Sequence, residues 1–140
     1  MIKKTIKIIF IMFLFLNPSV AKNNYYQEGI NLFKNKKFEE AKFKFEQDIV
    51  LNPKSELSYL YLSKVFKELK KKKLQEQNLN TVILLIPKNE EATFNLAKLK
   101  LEKSDYKKSK ELNERLKTFC VNFCSKNEKL KIEIENLSKK

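Results

Sequence analysis

Apolar and polar residues follow one another along most of this chain with a helical beat. In FEEAKFKFEQDIVLNPKS, Phe38 to Ser55, apolar side chains collect on one side of the turns and charged ones on the other, until Pro53 ends the run. A proline lacks the N–H that a helix interior needs and biases the residue before it toward extended backbone. The same patterning predicts helices over about Asn23–Asn35, Phe38–Leu51, Ser58–Lys70, Lys72–Leu85, Glu91–Lys103 and Asp105–Phe119. A seventh is expected in the tail. There Ser125-Lys-Asn-Glu128 reads as a capping box, and Leu130, Ile134 and Leu137 form one apolar stripe. Glu133 and Glu135 then face solvent and make a poor acid/base pair.

The prolines serve as a ruler. Pro53 and Pro87 lie 34 residues apart, and a further 34 residues lead to Val121. Segments laid over one another from Lys22, Glu56 and Glu90 bring Gly29, Ser63 and Ala97 into line. They also align Ala41, Gln75 and Ser109; Phe45, Leu79 and Asn113; and Asp48, Val82 and Leu116. Small residues on the first helix of each pair let the second approach closely. Phe38, Phe45, Leu79 and Tyr106 are large enough to fill the space beside them. A repeat of this kind cannot bury its apolar face alone, so about three must stack and the last needs a polar cover.

This spacing resembles the tetratricopeptide repeat (TPR). The first segment carries Tyr25, Gly29, Leu32, Phe38, Ala41, Phe45 and Pro53 on the family's pattern. The third keeps Leu96, Ala97, Asp105 and Tyr106. The second diverges most: Lys70 to Lys73 replace the usual Gly-Asp-aromatic turn, and Gln75 replaces a small Ala. The resemblance implies an all-α, right-handed α-solenoid of three helix-turn-helix repeats (22–55, 56–89 and 90–123, the match ending about 121) with a C-terminal capping helix over 125–140. It also implies that the first helix of each pair lines a concave, peptide-binding surface. By spacing, that surface holds Tyr26, Ile30, Phe33 and Lys34; Leu60, Lys64 and Lys67; and Phe94, Lys98 and Leu101. One branch of the family, the cytosolic co-chaperones, grips a C-terminal carboxylate with Lys and Asn side chains. The corresponding positions here look like Tyr26, Ile30, Tyr61, Glu91 and Asn95, so that clamp is absent.

Charge and composition narrow the field. The formal net charge is +13, almost all of it lysine, with Arg115 the one arginine and no histidine. Nucleic-acid and phosphate sites lean on the guanidinium fork, so nucleic acid is not an expected partner. Without histidine, the usual general base, the commonest zinc ligand and the Ser-His and Cys-His pairs are missing. No catalytic residue, metal site or cofactor is implied.

Residues 1–21 read as an address. Lys3, Lys4 and Lys7 precede an apolar run from Ile8 to Leu16. Asn17 and Pro18 break it, and Ser19-Val20-Ala21 supplies a small-x-small site. The run is far short of the ~20 residues that a spanning helix needs. A signal peptide cleaved after Ala21 is expected, with the chain then periplasmic or secreted and no stable membrane span left. Cleavage would remove three lysines and no acid, lowering +13 to about +10.

Export makes a disulfide permissible. Cys120 and Cys124 are four apart, a separation awkward for a disulfide inside a regular helix but workable at a bend. Three readings stay open: a staple between the third repeat and the tail helix, two semi-buried thiols, or a redox or metal role. The function expected is a non-catalytic scaffold of the bacterial envelope that takes a protein or peptide partner in the concave groove, where the lysines favour an acidic one. The alternative is a Lys-rich module for an anionic envelope polymer or membrane surface.

Overall fold

The computed structural model describes residues 24–139, so the signal peptide expected over 1–21 lies outside the described residues. Among the described residues there are seven helices and no strand. They are α1 (Tyr25–Lys34), α2 (Phe38–Leu51), α3 (Glu56–Glu68), α4 (Lys72–Leu85), α5 (Glu90–Glu102), α6 (Tyr106–Lys117) and α7 (Cys124–Leu137). Helices α2 and α4 have the predicted bounds. Helix α3 begins and ends two residues before the prediction, and α6 ends two residues early. The helices pack as the pairs α1–α2, α3–α4 and α5–α6, each pair also resting on the next, and α7 closes on α6 and α5.

Each pair is held by a small residue facing a large one. A Cβ added at Gly29 would lie 2.7 Å from Phe45 Cε1, so the ring sits where only glycine leaves room. At the matching places Ser63 and Ala97 are buried, as are their partners in the repeat, Leu79 and Asn113. The aligned sets Ala41, Gln75, Ser109 and Asp48, Val82, Leu116 are buried throughout.

The turns inside the pairs share one geometry. Lys36, Lys70 and Ser104 occupy the same repeat position and all have positive φ, at 59°, 56° and 59°. The left-handed conformation costs a residue with a Cβ roughly 1 kcal/mol. It is offset by Schellman-type bonds in which Lys37, Lys71 and Asp105 donate their N–H to Leu32, Phe66 and Lys100 carbonyls, at 2.9, 2.8 and 2.9 Å.

The tail helix is more than a cover. Helix α7 begins 34 residues after α5, as α5 begins 34 after α3, so it is the first helix of a fourth repeat in register. Asn127, Leu130 and Ile134 are buried at the positions that Thr93 and Leu96 or Tyr59, Leu62 and Phe66 hold in earlier repeats. At the small-residue position, however, α7 carries Lys131. The expected capping box does not form. The N-cap is Phe123, and Ser125 lies inside the helix. The start is set instead by Glu90, whose Oε2 accepts the backbone N–H groups of Asn122 and Phe123 at 2.9 and 2.8 Å.

Two hydrophobic clusters share the second repeat. One, rich in rings, gathers Ala41, Phe45, Leu62, Val65 and Phe66 with Tyr26, Phe33, Phe38 and Tyr61 around them. The other is aliphatic and runs from Leu60, Leu79 and Val82 through Leu96, Leu99, Leu101 and Leu112 to Leu130 and Ile134.

Candidate functional site

Helices α1, α3 and α5 line a groove of about 300 Å³ bounded by Phe33, Lys64, Lys67, Glu68, Glu91 and Asn95, with Ser63 and Gln75 at its base. One helix from every repeat contributes because the 34-residue register points the same face of each first helix the same way.

The predicted surface residues divide into three groups. Phe33, Lys64 and Lys67 line the groove. Lys34 and Lys98 are exposed on the same helices without being part of its wall, and Tyr26 and Phe94 are half-buried. Ile30, Leu60 and Leu101 are buried at 9%, 5% and 5% exposure, so these three belong to the core and not to a contact surface. Spacing could not separate them, because a helix face next to a groove is apolar for the same reason as a face in the core. Leu60 and Leu101 are taken up by the aliphatic cluster and Ile30 by the aromatic one.

Aromatic rings fix the N-terminal wall. Phe33 meets Phe38 at 5.5 Å and Tyr61 at 5.8 Å edge-on, while Tyr61 stacks on Phe45 at 5.2 Å. Tyr26 stands edge-on to Tyr61 at 5.8 Å. Burial raises the Tyr26 hydroxyl above its ordinary pKa, and the negative charge that Tyr61, Asp48 and Glu56 can carry pushes the same way. At the opposite end Phe94 packs on Phe123, 5.5 Å away, which draws this ring off the groove.

The groove's charge is mixed. Lys64 Nζ sits 2.8 Å from Glu91 Oε1 and 4.6 Å above the Tyr61 ring, which holds it against the wall and balances it. Lys67 has no ion-pair partner among the described residues. Glu68 and Asn95 add an acceptor and an amide. Such a surface offers one ring edge, a free ammonium group and several hydrogen-bonding groups along a trough, which suits an extended chain. Among the described residues no three His, Cys, Asp or Glu side chains converge as metal ligands.

Gln75 was not foreseen as a site residue, yet a signal was present. It is the one place where a long polar side chain occupies the small inner position, and it lies 7% exposed beneath Lys64 and Lys67. A departure from the repeat pattern at an inward position marks where the groove floor becomes polar.

Cys120 and Cys124 form a disulfide with a Cα–Cα distance of 5.3 Å. Cys120 lies beyond the end of α6 and Cys124 opens α7, so the pair spans a bend and not a continuous helix.

The fold is that of a TPR solenoid, three helix pairs closed by a further first helix. No protein-family model matches the chain, and no curated protein matches it either. Several solved structures share the fold. The TPR2B domain of yeast Sti1 in its complex with pHsp70 is 14% identical, with a TM-score of 0.76 over 81% of this chain and 95% of that one. The Yersinia enterocolitica type III secretion chaperone SycD, in complex with a peptide of the translocator YopD, is 17% identical, with a TM-score of 0.74 over 84% and 93%. The Arabidopsis OM64 TPR domain is 20% identical, with a TM-score of 0.71 over 85% and 95%. At these identities the likeness concerns architecture.

Proposed function

We propose that this protein is a non-catalytic interaction scaffold that holds an extended segment of a partner protein in the groove of α1, α3 and α5. The observation that carries the reading is a single trough to which all three repeats contribute side chains. It is supported by solved structures of the same fold, two of which hold another protein's peptide or form a complex with pHsp70. The free ammonium of Lys67 favours a partner with a carboxylate near that wall, while the Lys64–Glu91 pair keeps the trough from being uniformly basic. The pattern of residues 1–21 supports work in a bacterial envelope compartment after export.

Selection from a random peptide library, followed by fluorescence anisotropy on a selected peptide, tests the reading. Lys67→Glu combined with Asn95→Ala is expected to weaken binding about tenfold or more, since anchors in grooves carry most of the affinity. The helical circular dichroism spectrum should stay unchanged, because both side chains border open space. Affinity unaltered by the pair would move the binding surface elsewhere.

A further inference from the structure

One inner position of the repeat is filled in three different ways. Ala41 in α2 and Ser109 in α6 are both fully buried there, and the Ser109 hydroxyl donates to the Ala97 carbonyl at 2.8 Å. The polar group of the third repeat is thus satisfied inside its own helix pair. In α4 the same position carries Gln75, which is 7% exposed. Its carboxamide makes no hydrogen bond among the described residues. It is not sealed in, as Asn113 Oδ1 and Asn127 Oδ1 are, and the area it keeps opens into the trough between α1, α3 and α5.

The polar groups around Gln75 are occupied. Ser63, which shares the base of the trough, donates its hydroxyl to the Leu60 carbonyl at 2.6 Å. Lys64 is held by Glu91 and by the face of Tyr61. Glu76, the next residue of α4, accepts from Lys100 and Lys103. Polar groups inside a fold are as a rule hydrogen-bonded, and an unpaired one is destabilising. The other two repeats show that alanine or a self-satisfied serine serves the packing here. The glutamine therefore adds nothing the fold needs, but it gives the trough a floor with hydrogen-bonding capacity to spare.

We propose that Gln75 is a specificity-determining residue of the groove and pairs with a primary carboxamide, an asparagine or glutamine side chain of the bound segment. The inference rests on the groove reading above and names what that groove selects. The chemistry of the floor picks this occupant. A carboxamide presents an acceptor at one end and two donors at the other, so a second carboxamide meets both ends at once. A carboxylate would set its oxygens against Gln75 Oε1, and an ammonium would leave Nε2 without an acceptor. A hydroxyl cannot bridge the two ends, and a methyl group leaves both bare. The charges stand on the walls, where Lys64 and Lys67 face Glu68 and Glu91 in equal number, so nothing draws an ion to the floor. Depth decides between main chain and side chain. A segment lying across the rim reaches the base only with a side chain, whose methylenes can pass the Phe33 ring, and about 300 Å³ leaves room for it.

Peptides selected from a random library on the full chain are the probe. An asparagine or glutamine should recur at one position among them. Replacing it by leucine should weaken binding about tenfold, because a site built to hydrogen-bond a group rejects the analogue that lacks it. Gln75→Ala installs the residue of the first repeat and should keep the helical spectrum. On that variant the carboxamide and leucine forms of the peptide should bind within about twofold of each other, as residues whose interaction has been removed cease to couple. Gln75→Glu keeps the shape but cannot donate when ionised, so it too should narrow the gap, and it carries the comparison if the alanine variant does not fold. The proposal is overturned by selected peptides with no recurring carboxamide, by leucine that binds as well as the carboxamide, or by a leucine penalty that both variants leave in place. If such peptides still lose affinity for the chain with Lys67→Glu and Asn95→Ala, the groove reading stands and this inference alone falls. If they do not, both fall.

Discussion

The two ends of the stack are built by the same repeat and held by different means. In the N-terminal half the core is aromatic, and Gln47 Oε1 is its one buried side-chain oxygen or nitrogen without a hydrogen-bond partner among the described residues. The Asp48 carboxylate accepts from Ser58 Oγ at 2.5 Å and from Asn52 Nδ2 at 3.2 Å, which sews the first pair to the second. In the C-terminal half the core is aliphatic, and Asn113 stands where Phe45 and Leu79 stand in the other repeats. Asn113 Oδ1 and Asn127 Oδ1 are buried with no hydrogen-bond donor among the described residues. Here a disulfide and the Glu90 carboxylate fasten the last helix. The difference shows that one repeat register can be held by an aromatic core with a buried carboxylate link or by an aliphatic core with a disulfide and a carboxylate tether. Burial pushes the Glu90 carboxyl up, but the amides of Val121, Phe123 and Asn122 together outweigh it and hold it below the ordinary value.

The largest expected effect is at the aromatic end. Phe45→Ala empties a fully buried site and should cost about 4 kcal/mol in chemical denaturation. Contacts in a solenoid run between neighbours. Amide exchange should therefore accelerate first in α1 to α3, while α7 remains protected. Uniform acceleration along the chain would mean that the halves are a single cooperative unit and that the contrast has no energetic meaning.

A smaller effect of opposite sign is expected at the other end. Asn113→Leu restores the residue type of the second repeat and removes an orphaned amide, so stability should rise by about 1 kcal/mol. A loss of stability there would show that Asn113 makes interactions the geometry does not reveal.

The smallest concerns the seam. Glu76 on α4 accepts from Lys100 at 2.6 Å and from Lys103 at 2.7 Å, both on α5. The hydrogen bond from Lys100, then that from Lys103, lowers the Glu76 carboxyl below its ordinary 4.5 despite burial. A carboxyl lowered in the fold stabilises fully above its ordinary value and loses that contribution as pH falls through the lowered one. Glu76→Gln should therefore cost about 1 kcal/mol at neutral pH and less toward acid, read from denaturation midpoints across pH. A penalty unchanged down to strongly acidic pH would assign it to packing.

The repeat was legible because its punctuation is chemical. Pro53 and Pro87 end helices wherever they stand, and the 34-residue offset carried the alignment into buried sets that hold in every repeat. The exposure of Ile30, Leu60 and Leu101 was not legible, since identical apolar faces serve as core and as groove wall. Nor was the true start of α7. Ser125 and Glu128 have the composition of a cap, but the tether that decides the start comes from Glu90, distant in sequence. Long-range hydrogen bonds leave no local trace.

Lys131 makes the molecule a counted object. Each earlier first helix offers Gly29, Ser63 or Ala97, a socket into which the second helix of its pair plugs. On α7 the socket is filled by a lysine, so a further helix arriving there would meet a charged stem instead of a recess. A lysine there weighs against a further pair in the same register, and an engineer wishing to lengthen the array would begin by shortening that side chain.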